Sequence, residues 1–150
     1  METKSNSIAV DSSAIISLLS ETDSNHELAQ QALNTLPQSV TALLVPDAIF
    51  YEHLDVIGKR YGHATAIAAA RWILNQEMVV IVNTEDYRTD ILELFANQPN
   101  GVSLADCAVM VTAKKFDTRL IFGFDEVFRK NDYIRLGVDD KDTQTDEQAA

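Results

Sequence analysis

Residues 7–14 read Ser7-Ile8-Ala9-Val10-Asp11-Ser12-Ser13-Ala14, and this stretch decides the fold. A short apolar run is stopped by an aspartate, the pattern of a buried strand followed by a turn. Residues 12–20 (SSAIISLLS) then predict a short helix. The alternation continues along the chain. Residues 40–45 (VTALLV), 78–82 (MVVIV) and 119–122 (RLIF) predict further buried strands, and 133–136 (YIRL) a weaker fifth. Helices are predicted over 23–36, 47–61, 63–76, 85–97 and 103–116. Leu28, Ala29, Ala32, Leu33 and Leu36 fall at helical spacing before Pro37, Pro46 suits a first helical turn, and Ser103-x-x-Asp106 opens the last helix. The first four strands lack polar alternation, which marks a parallel sheet covered on both faces. The expectation is α/β: a single α/β/α sandwich over residues 1–138, followed by a disordered acidic tail, 139–150.

Composition bounds the function. The chain has 150 residues, 46% hydrophobic and 23% charged, which suits one globular domain. One cysteine rules out an intramolecular disulfide framework and a multi-cysteine zinc site, and fits a reducing cytosol. No apolar run approaches the roughly 20 residues that span a bilayer, so no membrane partner is expected. The polar start, residues 1–7, lacks the apolar core of a signal peptide, and a cytoplasmic location is expected. Net charge is −11, opposite in sign to a broad nucleic-acid-binding face. Part of the excess lies in 139–150, with five acids and one base. The charge disfavours a sticky basic coat but is compatible with a small acidic site that recruits cations.

In a parallel sheet, ligands bind beyond the C-terminal strand ends, near the point where strand order reverses. Asp11 directly follows the first strand, and Asp125 lies just past the fourth. Glu52 is in the second turn of the helix after the second strand, and Asp106 is in the first turn of the helix before the fourth. All four belong at one rim. Each alone has a structural reading: Asp11 and Asp125 as N-caps, Ser103 to Asp106 as a capping box, Glu52 as a solvated helix residue. Jointly they point to cations, because clustered carboxylates repel and need a counter-charge. Hard oxygen ligands suit Mg²⁺ or Mn²⁺, which can assist phosphodiester cleavage. Other α/β chemistries lack their residues. There is no G-x-x-x-x-G-K-[ST], no G-x-G-x-x-G and no G-x-S-x-G. A dehalogenase-type phosphatase needs a second Asp where Ser13 stands. A receiver domain needs an Asp where Asn83-Thr84 follows the third strand.

The chain resembles the PIN domain family, most closely the small bacterial VapC-type toxins. The resemblance spans about 7–136. It rests on Val10-Asp11-Ser12-Ser13-Ala14, Pro46 with Glu52 six residues on, Ser103-Leu104-Ala105-Asp106, and Leu120-Ile121-Phe122-Gly123-Phe124-Asp125 with Phe128. It implies a central parallel five-stranded sheet of order 3-2-1-4-5 and a Mg²⁺- or Mn²⁺-dependent endoribonuclease. By position, Asp11, Glu52, Asp106 and Asp125 would be both catalytic and metal-binding, with Ser12 as the hydroxyl after the first acid. An RNA substrate, an antitoxin protein and a homodimer are the implied partners. The alternatives are a PIN nuclease of RNA processing and a non-catalytic PIN-like binding module. One departure is Gly123, where Thr or Ser is common; the acidic tail is another.

Ser12, Arg129 and Lys130 are the expected substrate contacts, although both cations also read as plain surface. Lys59 reads as a solvated lysine, and Lys114 and Lys115 as structural charges at a helix C-terminus. His26, His53 and His63 show no zinc spacing, and His53 is expected on a different helix face from Glu52. Cys107 is expected to pack, and Trp72 to lie in the core or a dimer contact.

Overall fold

The computed structural model describes residues 6–140. Five parallel strands form the central sheet: β1 (Ser7–Val10), β2 (Ala42–Pro46), β3 (Val79–Val82), β4 (Leu120–Phe122) and β5 (Ile134–Arg135). Their order is β3-β2-β1-β4-β5, as the family resemblance implies. Register is tight around β1, with Ile8 opposite Leu43 and Val10 opposite Phe122. Helices α1 (Ser12–Leu19), α2 (His26–Asn34), α3 (Asp47–Tyr61), α4 (His63–Asn75), α5 (Arg88–Ala96), α6 (Leu104–Lys115) and α7 (Glu126–Lys130) complete the fold. A 3₁₀ turn, Glu85–Tyr87, leads into α5 and takes up the start of the single helix expected over 85–97.

The sequence pattern accounts for the element ends. Pro46 precedes α3, where a fixed φ suits helix entry, and Gly62 ends it at φ 99°, a left-handed backbone that other residues adopt only with strain. β1 is buried at all its positions, and α6 is buried continuously from Cys107 to Ala113. Cys107 therefore packs, as its apolar neighbours suggested. Ile8, Ile49, Met110, Ile121 and Phe128 are among the largest fully buried side chains. Removing such a side chain costs about 2–5 kcal/mol. Trp72 packs against this core, partly buried.

Two expectations change. β3 is a sheet edge: Val80 and Ile81 are 44% and 38% exposed, whereas a buried strand was predicted. An edge strand has one covered neighbour, so a continuous apolar run there does not ensure burial. The acidic segment expected as a tail from 139 begins inside the folded body. Asp139 binds the Arg135 guanidinium at 2.9 and 3.0 Å, and Asp140 accepts from the Gly137 N–H at 2.7 Å. Residues 141–150 lie outside the described residues. Among the described residues, no helix is long and apolar enough to cross a membrane.

Candidate active site

Strand order reverses between β1 and β4, and the chain leaves both at the same edge. Asp11 extends the pairing one residue past β1, its N–H donating to the Phe122 carbonyl at 2.9 Å. Asp11 is 5% exposed. Although Asp11 occupies the N-cap position of α1, its carboxylate makes no capping bond. It accepts instead from the Ser13 hydroxyl at 2.5 Å. Burial lifts its pKa to about 6; the Ser13 hydroxyl draws it back down, and the Asp106 charge pushes it further up.

The other three acids arrive from separate elements. Asp106 stands in the first turn of α6 and closes a capping box: its N–H donates to Ser103 Oγ at 3.0 Å, and its Oδ2 accepts from the Ser103 N–H at 3.0 Å. Asp125 caps α7, its Oδ1 accepting from the Val127 N–H at 2.9 Å. Glu52 is exposed on α3. Asp11, Glu52, Asp106 and Asp125 line one pocket of about 460 Å³, together with Ser12, Ser13, His53 and Ser103. The capping readings of Asp106 and Asp125 thus hold alongside their place in the pocket.

The donor set is oxygen-rich, which suits a hard cation such as Mg²⁺ or Mn²⁺. A buried carboxylate raised by desolvation and by a neighbouring acid is the arrangement that a cation relieves. Carboxylates accept at both oxygens, so the capping bonds are compatible with an ion. Among the described residues, however, no three His, Cys, Asp or Glu side chains are already gathered closely enough to hold one. The residues fit a cation in kind; holding one would require side-chain rotation.

His53 was expected on a different helix face from Glu52, and it is partly buried where Glu52 is exposed, yet both line the same pocket. Its Nε2 is hydrogen-bonded to Ser12 Oγ. Burial lowers the His53 pKa; the Glu52 charge, the Ile49 carbonyl and the Asp106 charge oppose the shift. Ser12 is 3% exposed, and the expected substrate hydroxyl is engaged within the protein. Arg129 and Lys130 do not line the pocket; each pairs loosely with Glu126, at 3.5 and 3.8 Å. Lys115 pairs with Asp90 at 2.7 Å, in keeping with a structural charge. A larger hollow of about 640 Å³ adjoins the acidic pocket, with Glu52 and Ala105 lining both; Tyr51, 70% exposed, and Arg88 also line it.

No curated protein matches the sequence. Among solved structures, the VapC20 toxin of Mycobacterium tuberculosis, described as cleaving the sarcin-ricin loop, superposes with a TM-score of 0.77. It is 21% identical, and the match covers 86% of this chain and 98% of that one. The PIN domain family pattern matches residues 8–133, nearly the whole described body. The chain belongs to the PIN domain family.

Proposed function

We propose that this PIN domain is a metal-dependent endoribonuclease and the toxin of a type II toxin–antitoxin pair. The observation that carries the reading is the pocket itself: four carboxylates from four segments, one of them buried, at the reversal point of the sheet. Asp11, Asp106 and Glu52 would hold the principal Mg²⁺ or Mn²⁺, and Asp125 would complete the site. When bound, such an ion stabilises charge on the phosphoryl and leaving oxygens and activates water. Asp11, with a pKa of about 6, is predominantly ionised at neutral pH and available as a ligand. Glu52 is exposed and lines both hollows, so its carboxylate would face the ion and the substrate side together. Arg129 and Lys130 give up little by leaving Glu126, because exposed pairs are worth only about 0–1 kcal/mol, so both can turn to a phosphate.

An RNA substrate agrees with the fold shared with a toxin described as cleaving an RNA loop. A partner antitoxin, a homodimer and a cytoplasmic location belong to the same proposal. A non-catalytic binding module is the second reading, favoured by carboxylates that are not yet gathered around one point. Incubating the purified chain with total RNA, with and without Mg²⁺ or Mn²⁺, beside Asp11→Asn, decides between them. Cleavage requiring both the cation and Asp11 is the expected result; no cleavage under any condition favours the binding module.

A further inference from the structure

Ser12 and His53 are 41 positions apart, yet their side chains are hydrogen-bonded across the wall of the acidic pocket. Each is the immediate neighbour of a pocket acid: Ser12 follows Asp11, and His53 follows Glu52. The bond therefore links the first turn of α1 to α3 one residue away from both carboxylates. Ser12 is almost wholly buried. The Ile49 carbonyl, one helical turn back on α3, acts on the His53 ring as a hydrogen-bond acceptor. Outside α3 the ring is hydrogen-bonded to Ser12 Oγ, through Nε2.

We infer that His53 is a positioning residue that acts through Ser12: the link sets the placement of Asp11 against Glu52, so that the carboxylates can close on one divalent cation. This rests on the metal-dependent reading above and deepens it. It also gives the Ser12 hydroxyl a role other than substrate contact. Nothing in the role requires the ring to change protonation. Groups that orient metal ligands typically affect affinity about 10- to 100-fold when removed.

The test is a double-mutant cycle on the full chain, with Mn²⁺ alone as the calorimetric probe. Ser12→Ala, His53→Ala, the double variant and His53→Gln are compared with wild type, and far-UV circular dichroism checks that each folds. A Gln amide reaches about as far as the distal ring nitrogen and can bond to Ser12, so it should restore the link. The expected result is a 10- to 100-fold loss of Mn²⁺ affinity in each alanine variant, no further loss in the double variant, and recovery to within about threefold in His53→Gln. Ser12→Ala removes a single hydroxyl, so it keeps the cycle informative if His53→Ala is poorly folded. Multiplying losses, no loss in Ser12→Ala, or no recovery with Gln each overturns the inference. A wild-type chain that neither binds Mn²⁺ nor cleaves total RNA overturns the nuclease reading, and the inference with it; that failure appears before any variant is made.

Discussion

Gly123 abuts Asp11 so closely that a Cβ on the glycine would stand 2.9 Å from the Asp11 Cβ and 2.8 Å from Cε2 of Phe128. The family resemblance leads one to expect Thr or Ser here, and the place of such a side chain is closed by the acid and the ring. The glycine therefore also meets a packing demand of this chain's own pocket. Any side chain at 123 must push Asp11, Phe128 or both. Gly123→Ala should cost about 1–3 kcal/mol, the usual range for an overpacked core, and Gly123→Thr more. Displacing Asp11 should lower Mn²⁺ affinity and RNA cleavage in parallel. Chemical denaturation and a cleavage assay on both variants check this; unchanged stability would mean that the neighbours yield freely.

Asp11 should also leave a signature in the pH dependence of stability. Its folded pKa of about 6 lies above the ordinary value of 3.8. Between these values the folded chain binds more protons than the unfolded one, so stability from this group falls as pH rises. The rise from 3.8 to about 6 amounts to roughly 3 kcal/mol, fully lost above about pH 6. Asp11→Asn should therefore stabilise the metal-free protein at neutral pH while abolishing cleavage. Melting curves of both proteins in chelator, from about pH 4 to 8, check it. The difference between them isolates Asp11 from acids such as Asp139, whose lowered pKa makes its own contribution fade as pH falls. A gap that does not widen between pH 4 and 6 would contradict the assignment.

Asp106 combines a structural and an electrostatic task, and two substitutions separate them. Asn retains an acceptor for the Ser103 N–H, so the capping box should survive Asp106→Asn. The charge that raises Asp11 is removed, so the Asp11 pKa should fall. Asp106→Ala loses the charge and the reciprocal half of the box, while its N–H still donates to Ser103 Oγ, and should be about 0.5–1.5 kcal/mol less stable than the Asn variant. Neither should cleave RNA if Asp106 helps hold the ion. Carboxyl titration by NMR, melting curves and cleavage assays report these effects separately; an Asn variant that cleaves normally would leave Asp106 as a cap alone.

The strands and the rim acids were legible in the sequence because both follow from one-dimensional patterns. Val10 is apolar and Asp11 is not, and the chain cannot pass from core to edge more sharply. That His53 shares the pocket was not legible, because neighbours on a helix point about 100° apart, which suggested a separate environment from Glu52. The pocket wall along α3 is broad enough to take in both. The exposure of Val80 and Ile81 was hidden for another reason: a run such as VVIV has the same composition at a sheet's centre and at its edge. Neither the crossing of α1 against α3 nor the place of β3 in the sheet is local information; the edge position of β3 came from the family resemblance, not from the run itself. Asp139 was hidden by its company, since an acid within an acid-rich segment carries no mark of a partner four residues earlier.

That partner makes the last prediction. Arg135 donates to both carboxyl oxygens of Asp139, and its Nη1 donates to the Phe124 carbonyl at 2.9 Å. The side chains of Arg135 and Asp139 are only 11% and 18% exposed, so this pair is shielded from solvent far better than the Glu126 pairs. Asp139→Ala leaves a largely buried guanidinium with only its bond to the Phe124 carbonyl and should cost about 2–3 kcal/mol, near the value of a hydrogen-bonded charged group. Truncation after residue 138 should cost as much, whereas an unattached acidic tail would be removed without effect. Arg135→Ala should do more than Asp139→Ala, because it also releases Phe124, the residue before Asp125. Only the Arg135 variant should therefore lose Mn²⁺ affinity beyond its loss of stability. Denaturation and calorimetry on the two point variants check the distinction. Equal loss of Mn²⁺ affinity in both would place the coupling to Asp125 in the ion pair itself rather than in the Arg135–Phe124 bond.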